Sequence, residues 1–206
     1  MKFILPFAFL IIFASCSKEK QEPTIKINPE EVKVLKAQFA EWQQNEIAER
    51  NFWADDSCHP EWFREHEFEG TISEMWGFPD SSEFNFSYAD VNIDGKLDQL
   101  VTFVPAQCNG GNGSVWIQFE VFTVSDSVGY QTIAYLGEGI FSAFGKDTSG
   151  FYWYDSIAPN KIYGRFMNFL ESDGYCCPSI IRPVIIDYYT RKVIYMGENI
   201  AENENE

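Results

Sequence analysis

The chain has 206 residues, of which 45% are hydrophobic, 17% aromatic and 22% charged, proportions that suit one folded globular domain rather than a disordered or fibrous chain. Its 15 basic and 31 acidic side chains give a formal charge of 15 − 31 = −16, which argues against nucleic acid or an anionic bilayer surface as a partner. With only two histidines, His59 and His66, any site needing three imidazoles is excluded.

Residues 1–15 run from Met1 and Lys2 through twelve largely apolar residues, Phe3 to Ala14, to Ser15, the charged, apolar and small-residue order of a secretory signal. A spanning helix needs about 20 apolar residues; here the run stops at Cys16 and a charged stretch, Lys18 to Glu22. Phe13, Ala14 and Ser15 before Cys16 resemble the lipobox of bacterial lipoproteins, with Phe13 where that motif usually carries Leu. The resemblance implies cleavage before Cys16, which would then carry a diacylglyceryl thioether and an amide-linked acyl chain such as palmitate. At ~0.8 kcal/mol per buried methylene, several such chains make an anchor that hardly dissociates. Ser17 is not the Asp that often marks inner-membrane lipoproteins in enteric bacteria, and Ser17 to Glu22 resembles the acidic export tag of surface lipoproteins in the Bacteroidota. Both features imply an outer-membrane location, facing the periplasm or the cell surface. Cleavage would leave 191 residues with a formal charge of 14 − 31 = −17.

Residues 16–27 read as the lipidated Cys and a polar tether. Residues 28–196 read as a single globular α+β domain, mainly β. Asn28 as cap, Pro29 at the first helical position and Glu31 three after the cap open a helix that runs to about Glu49. Val32, Leu35, Phe39 and Trp42 share one face, which should pack on a sheet. Residues 50–83 are aromatic and irregular, with nine acids and room for a short helix from Pro60 to Glu67. Strand composition then recurs: Phe84 to Tyr88, Leu97 to Val104, Val115 to Val124, Tyr130 to Tyr135, Phe151 to Tyr154, Lys161 to Leu170, Ile180 to Tyr189 and Val193 to Met196. The short connections favour an antiparallel meander, with a hairpin around Thr190 to Lys192. Residues 197–206 hold four glutamates and three asparagines and read as an acidic flexible tail.

The sharpest local pattern is Asp90-Val91-Asn92-Ile93-Asp94-Gly95-Lys96-Leu97-Asp98. Oxygen side chains at positions one, three, five and nine, a glycine at six and a carbonyl at seven wrap a chain around a hard cation. Asp90, Asn92, Asp94, Asp98 and the Lys96 carbonyl fill those roles for calcium in a structural capacity. The loop resembles an EF-hand and, more closely, the inter-strand loops of FG-GAP repeats. It departs from the EF-hand at position twelve, where Val101 replaces the bidentate Glu, which lowers the expected affinity. It occurs once, so no propeller is implied. The rival reading is an acidic hairpin turn.

Beyond Cys16 the cysteines are Cys58, Cys108, Cys176 and Cys177, an even count that in an exported protein suggests two disulfides. A vicinal Cys176–Cys177 bond is disfavoured, because adjacent Cα atoms lie ~3.8 Å apart, below the usual disulfide span. Cys58 and Cys108 would each meet one member of the pair, and both arrangements stay open. A zinc site from Cys58, His59, Cys176 and Cys177 is a rival without the paired Cys-x-x-Cys spacing. Asp173 to Ser179 looks like a segment of small exported bacterial proteins and implies no activity. Asn109 to Gly113 lacks the Lys and Ser or Thr of a phosphate loop and reads as a turn.

No catalytic residue is singled out. The leading functional expectation is a lipid-anchored envelope module, stabilised by calcium, that binds a polysaccharide or another envelope protein. The alternatives are a carboxylate-dependent glycan hydrolase, which needs two facing acids roughly 5 to 9 Å apart, and an immunity or inhibitor protein that blocks a basic partner.

Overall fold

The Asn28 side chain accepts a hydrogen bond from Glu30 N at 3.1 Å, and Pro29 follows as the first residue of α1, Pro29–Ala48. The cap takes up one of the orphan amides of the first turn, where Glu30 and Glu31 also suit the positive end of the helix dipole. The computed structural model describes residues 27–49, 51–54, 76–107, 118–134, 150–173 and 178–201. The expected signal, the tether up to residue 26, the Pro60 to Glu67 helix, the Asn109 to Gly113 turn and all five cysteines lie outside the described residues.

Among the described residues ten strands follow: β1 Trp76–Gly77, β2 Asn85–Ala89, β3 Asp98–Phe103, β4 Ala106–Gln107, β5 Phe119–Ser125, β6 Tyr130–Ala134, β7 Gly150–Ala158, β8 Lys161–Asn168, β9 Ile180–Asp187 and β10 Val193–Met196. They form two antiparallel four-strand sheets, ordered β2-β3-β5-β6 and β10-β9-β8-β7, and a two-strand ladder β1-β4. The α+β, mainly β reading therefore holds. The meander is divided into two sheets, and the short β1-β4 ladder had no counterpart among the expected strands.

The first sheet is covered on both faces. One face, with Val101, Phe103, Phe119 and Val121, packs under Phe39 of α1 and against Phe52 and Phe78. The other, with Leu100, Phe122 and Val124, meets Tyr152, Tyr154, Ile162 and Ile186 of the second sheet. Every residue of β3 and β5 is consequently buried, whereas β8 of the outer sheet alternates buried and half-buried positions along most of its length. Ile157 N donates to Ser87 Oγ at 3.0 Å where β7 lies against β2. Gly164 is obligatory in β8, since a Cβ there would sit 2.2 Å from the Trp153 carbonyl oxygen on β7.

Residues 197–201, assigned by composition to a flexible tail, instead run beside β9. Gly197 N donates to the Pro183 carbonyl and Ile200 N to the Ile181 carbonyl, each at 2.8 Å. Asn199 adds a side-chain imitation of a strand, accepting from Ile181 N and donating to the Ser179 carbonyl at 2.8 Å each. The described helix is not apolar enough to cross a membrane.

Candidate functional site

Two places concentrate chemistry: the 90–98 loop at one end of the sheets, and a groove between α1 and β2. In the loop, Ile93 (φ 58°) and Gly95 (φ 89°) take left-handed backbone conformations and turn the chain back on itself. Asp90 accepts from Asp94 N at 2.9 Å and from Gly95 N at 2.8 Å. Asn92 Oδ1 also accepts from Asp94 N, at 3.1 Å, and Asp94 Oδ1 accepts from Lys96 N at 2.9 Å. The loop thus folds Asp90, Asn92 and Asp94 inward onto its own amides.

Asp98, the first residue of β3, is fully buried and braces the loop from below. One oxygen accepts from Val91 N at 2.8 Å and Asn92 N at 3.4 Å; the other accepts from Ser125 N at 2.8 Å and Ser125 Oγ at 3.0 Å. Burial pushes its carboxyl above the usual value, and these hydrogen bonds pull the other way. Ser125 Oγ also reaches Asp94 Oδ2 at 2.8 Å, so one serine at the end of β5 joins two acids of the motif. Ser125 lies 27 positions from Asp98, and no local pattern in the sequence marks it.

Neighbouring turns lock onto the same end. Asn160 N donates to the Val91 carbonyl at 2.9 Å and Tyr188 N to the Asn160 carbonyl at 3.1 Å, while the Tyr189 hydroxyl donates to the Asn92 carbonyl. Among the described residues, the non-glycine positions at positive φ are Ile93, Asn160 and Arg191; all three lie in these joined turns. Lys96 Nζ reaches the Asp126 carbonyl at 3.3 Å.

The donor types suit a hard cation, and Asp90, Asn92 and Asp94 are brought together. Asp98 is committed to four N–H and O–H donors. No group of three or more His, Cys, Asp or Glu among the described residues is placed to hold a metal ion, so the carboxylates do not converge as a closed cage in this arrangement.

The groove, of about 490 Å3, opens between the exposed side of α1 and the segment leading into β2. Phe39 and Phe78 lie at its floor, nearly buried, and Phe84 and Phe86 form a wall, with Phe86 still 36% exposed. The Phe39 ring meets Phe84 and Phe86 edge-on at centroid distances of 5.3 and 5.8 Å, which holds both rings in place. Lys36, Gln43, Asp80 and Ser81 supply the polar lining. Asp80 accepts from Ser82 N at 2.9 Å and Ser82 Oγ at 2.8 Å, which keeps its carboxyl below the ordinary carboxylate value. The aromatic face of α1 is legible in the sequence as one that packs on a sheet; the groove is not, because it is made only when β2 arrives beside the helix.

No protein family, curated protein or solved structure matches the chain.

Proposed function

We propose that the chain is a lipid-anchored binding module of the bacterial outer membrane and that the α1–β2 groove takes a unit of a polysaccharide. The observation that carries this reading is the groove itself: its volume of about 490 Å3 falls within the roughly 300 to 1,000 Å3 of small-ligand sites. Its composition suits a sugar ring. Phenylalanine rings offer flat apolar surface to the C–H face of a pyranose, and Gln43, Asp80 and Ser81 offer donors and acceptors for its hydroxyls. The anchor is Cys16 behind the 1–15 signal, and residues 16–27 give the domain reach from the bilayer. Full-length protein in detergent, applied to an array of bacterial and plant oligosaccharides, should retain at least one class of glycan and lose it with Phe86→Ala. Retention of none by folded protein would overturn the reading, as would retention unchanged by Phe86→Ala. A Cys16→Ser variant that stays fully membrane-bound would remove the anchor from it.

The 90–98 loop supports a second role beside this one, calcium stabilisation of the fold. Asp90, Asn92 and Asp94 already face inward on one tight turn, so a cation would replace repulsion between carboxylates with attraction. Asp98 belongs to the scaffold of that loop through its bonds to Val91 and Ser125.

A further inference from the structure

We infer that the groove selects an acidic saccharide, a uronate unit whose carboxylate meets the Lys36 ammonium. The inference rests on the saccharide reading above and names its ligand class. Lys36 lies on the exposed side of α1 and lines the groove. Its Nζ is held 5.2 Å from the centroid of the Phe86 ring, so the ring that would stack on a sugar also fixes the position of the charge. Among the described residues no ion pair joins Lys36 to a carboxylate, unlike Arg165, which meets Asp155 at 2.9 Å. A chain with 31 acids against 15 bases carries a net negative charge that disfavours anions in general. An ammonium with no carboxylate partner, lining an aromatic groove, gives an anionic ligand a place to bind.

The lining also carries the other sign, at Asp80. Asp80 and Lys36 both line the groove yet form no ion pair, so the site is polarised rather than neutralised. A uronate fits that polarity in one orientation. Its carboxylate lies toward Lys36, its hydroxyls donate to Asp80 and exchange hydrogen bonds with Gln43, and its apolar face rests on Phe84 and Phe86. A neutral hexose would satisfy the rings and Asp80 but leave the ammonium to water. A phosphorylated or sulfated sugar would also bring negative charge to Lys36, and a planar carboxylate is the smaller anion for a groove of about 490 Å3.

The test uses full-length protein in detergent and a pair of probes with one skeleton, cellotetraose and the β-1,4-linked tetraglucuronate, titrated calorimetrically. The expected result is a Kd for the tetraglucuronate at least tenfold below that for cellotetraose, with the ratio falling below twofold in Lys36→Gln. Lys36→Arg, which keeps the charge, should keep a ratio above threefold. Equal Kd values for the two probes overturn the charge inference and leave the saccharide reading standing. A ratio unchanged in Lys36→Gln overturns the assignment to Lys36. Binding of neither probe by protein with wild-type urea unfolding, together with an empty glycan array, overturns the saccharide reading on which the inference stands. Tighter binding of the 6-sulfated cellotetraose than of the tetraglucuronate overturns the choice of carboxylate over sulfate.

Discussion

Replacing Asp98 by alanine removes the acceptor that joins the 90–98 loop to β5. The buried carboxylate receives Val91 N and Ser125 N at 2.8 Å each and Ser125 Oγ at 3.0 Å, with Asn92 N more distant at 3.4 Å. Alanine offers none of these an acceptor. Two short backbone donors left unmatched cost about 1–3 kcal/mol each. Removing a charge that burial disfavours returns part of that sum, since the Asp98 carboxyl is raised by desolvation. The net expectation is a loss of about 3 kcal/mol, a shift of roughly 6–12 °C in Tm for a domain of this size. Asp98→Asn keeps one acceptor oxygen and should lose about half as much. Urea unfolding followed by tryptophan fluorescence, in chelator so that no cation contributes, measures both variants. A loss below about 0.5 kcal/mol for Asp98→Ala, the range of an ordinary surface substitution, would refute the reasoning and make the four bonds incidental.

Three further outcomes follow from other parts of the fold. Gly164→Ala should destabilise by about 1–3 kcal/mol or more, because its Cβ would meet the Trp153 carbonyl oxygen at 2.2 Å; the same unfolding assay reads it. Asp173 and Asp187 accept from Ser179 and Thr190, which holds both carboxyls below their ordinary value of 3.8. These hydrogen bonds should hold above that value and be lost as pH falls through the lower folded values, read from the amide shifts of Ser179 and Thr190 between pH 5 and pH 2. Calcium at 100 times its Kd should add about 2.7 kcal/mol if it binds the native state alone; Asp94→Ala should abolish that increment, and a Tm indifferent to calcium in metal-free wild-type protein would reduce the loop to an acidic turn.

Much of the fold was legible because its signals are local. Asn28 and Pro29 mark the helix start by chemistry that needs no distant partner, and the β2, β9 and β10 strands announce themselves by β-branched and aromatic residues between turns. Legibility failed where a residue acts through distant contacts. The polar Gln99 and Thr123 lie fully buried on central strands, and Gln99 reaches back to the Leu35 carbonyl at 3.3 Å, a partner 64 positions away. Residues 197–206 carry the composition of a frayed tail, yet Asn199 ties the described part of it, 197–201, to β9 with side-chain bonds that composition does not reveal. Within the candidate site the 90–98 motif was readable as spacing, but not the commitment of Asp98 to Val91 and Ser125. The groove was unreadable because Phe39 and Phe86 sit on separate elements whose approach is set by packing.

The claim that the α1–β2 groove is the ligand face is tested most directly by mapping a bound saccharide on the protein. Isotope-labelled full-length protein in detergent would be titrated with tetraglucuronate and then with cellotetraose while amide shifts are followed. The largest changes for at least one probe should fall at Lys36, Ala40, Gln43, Ser81 and Phe86, with little change along β9 and β10. Largest changes in the 90–98 loop, or along the second sheet, would contradict it.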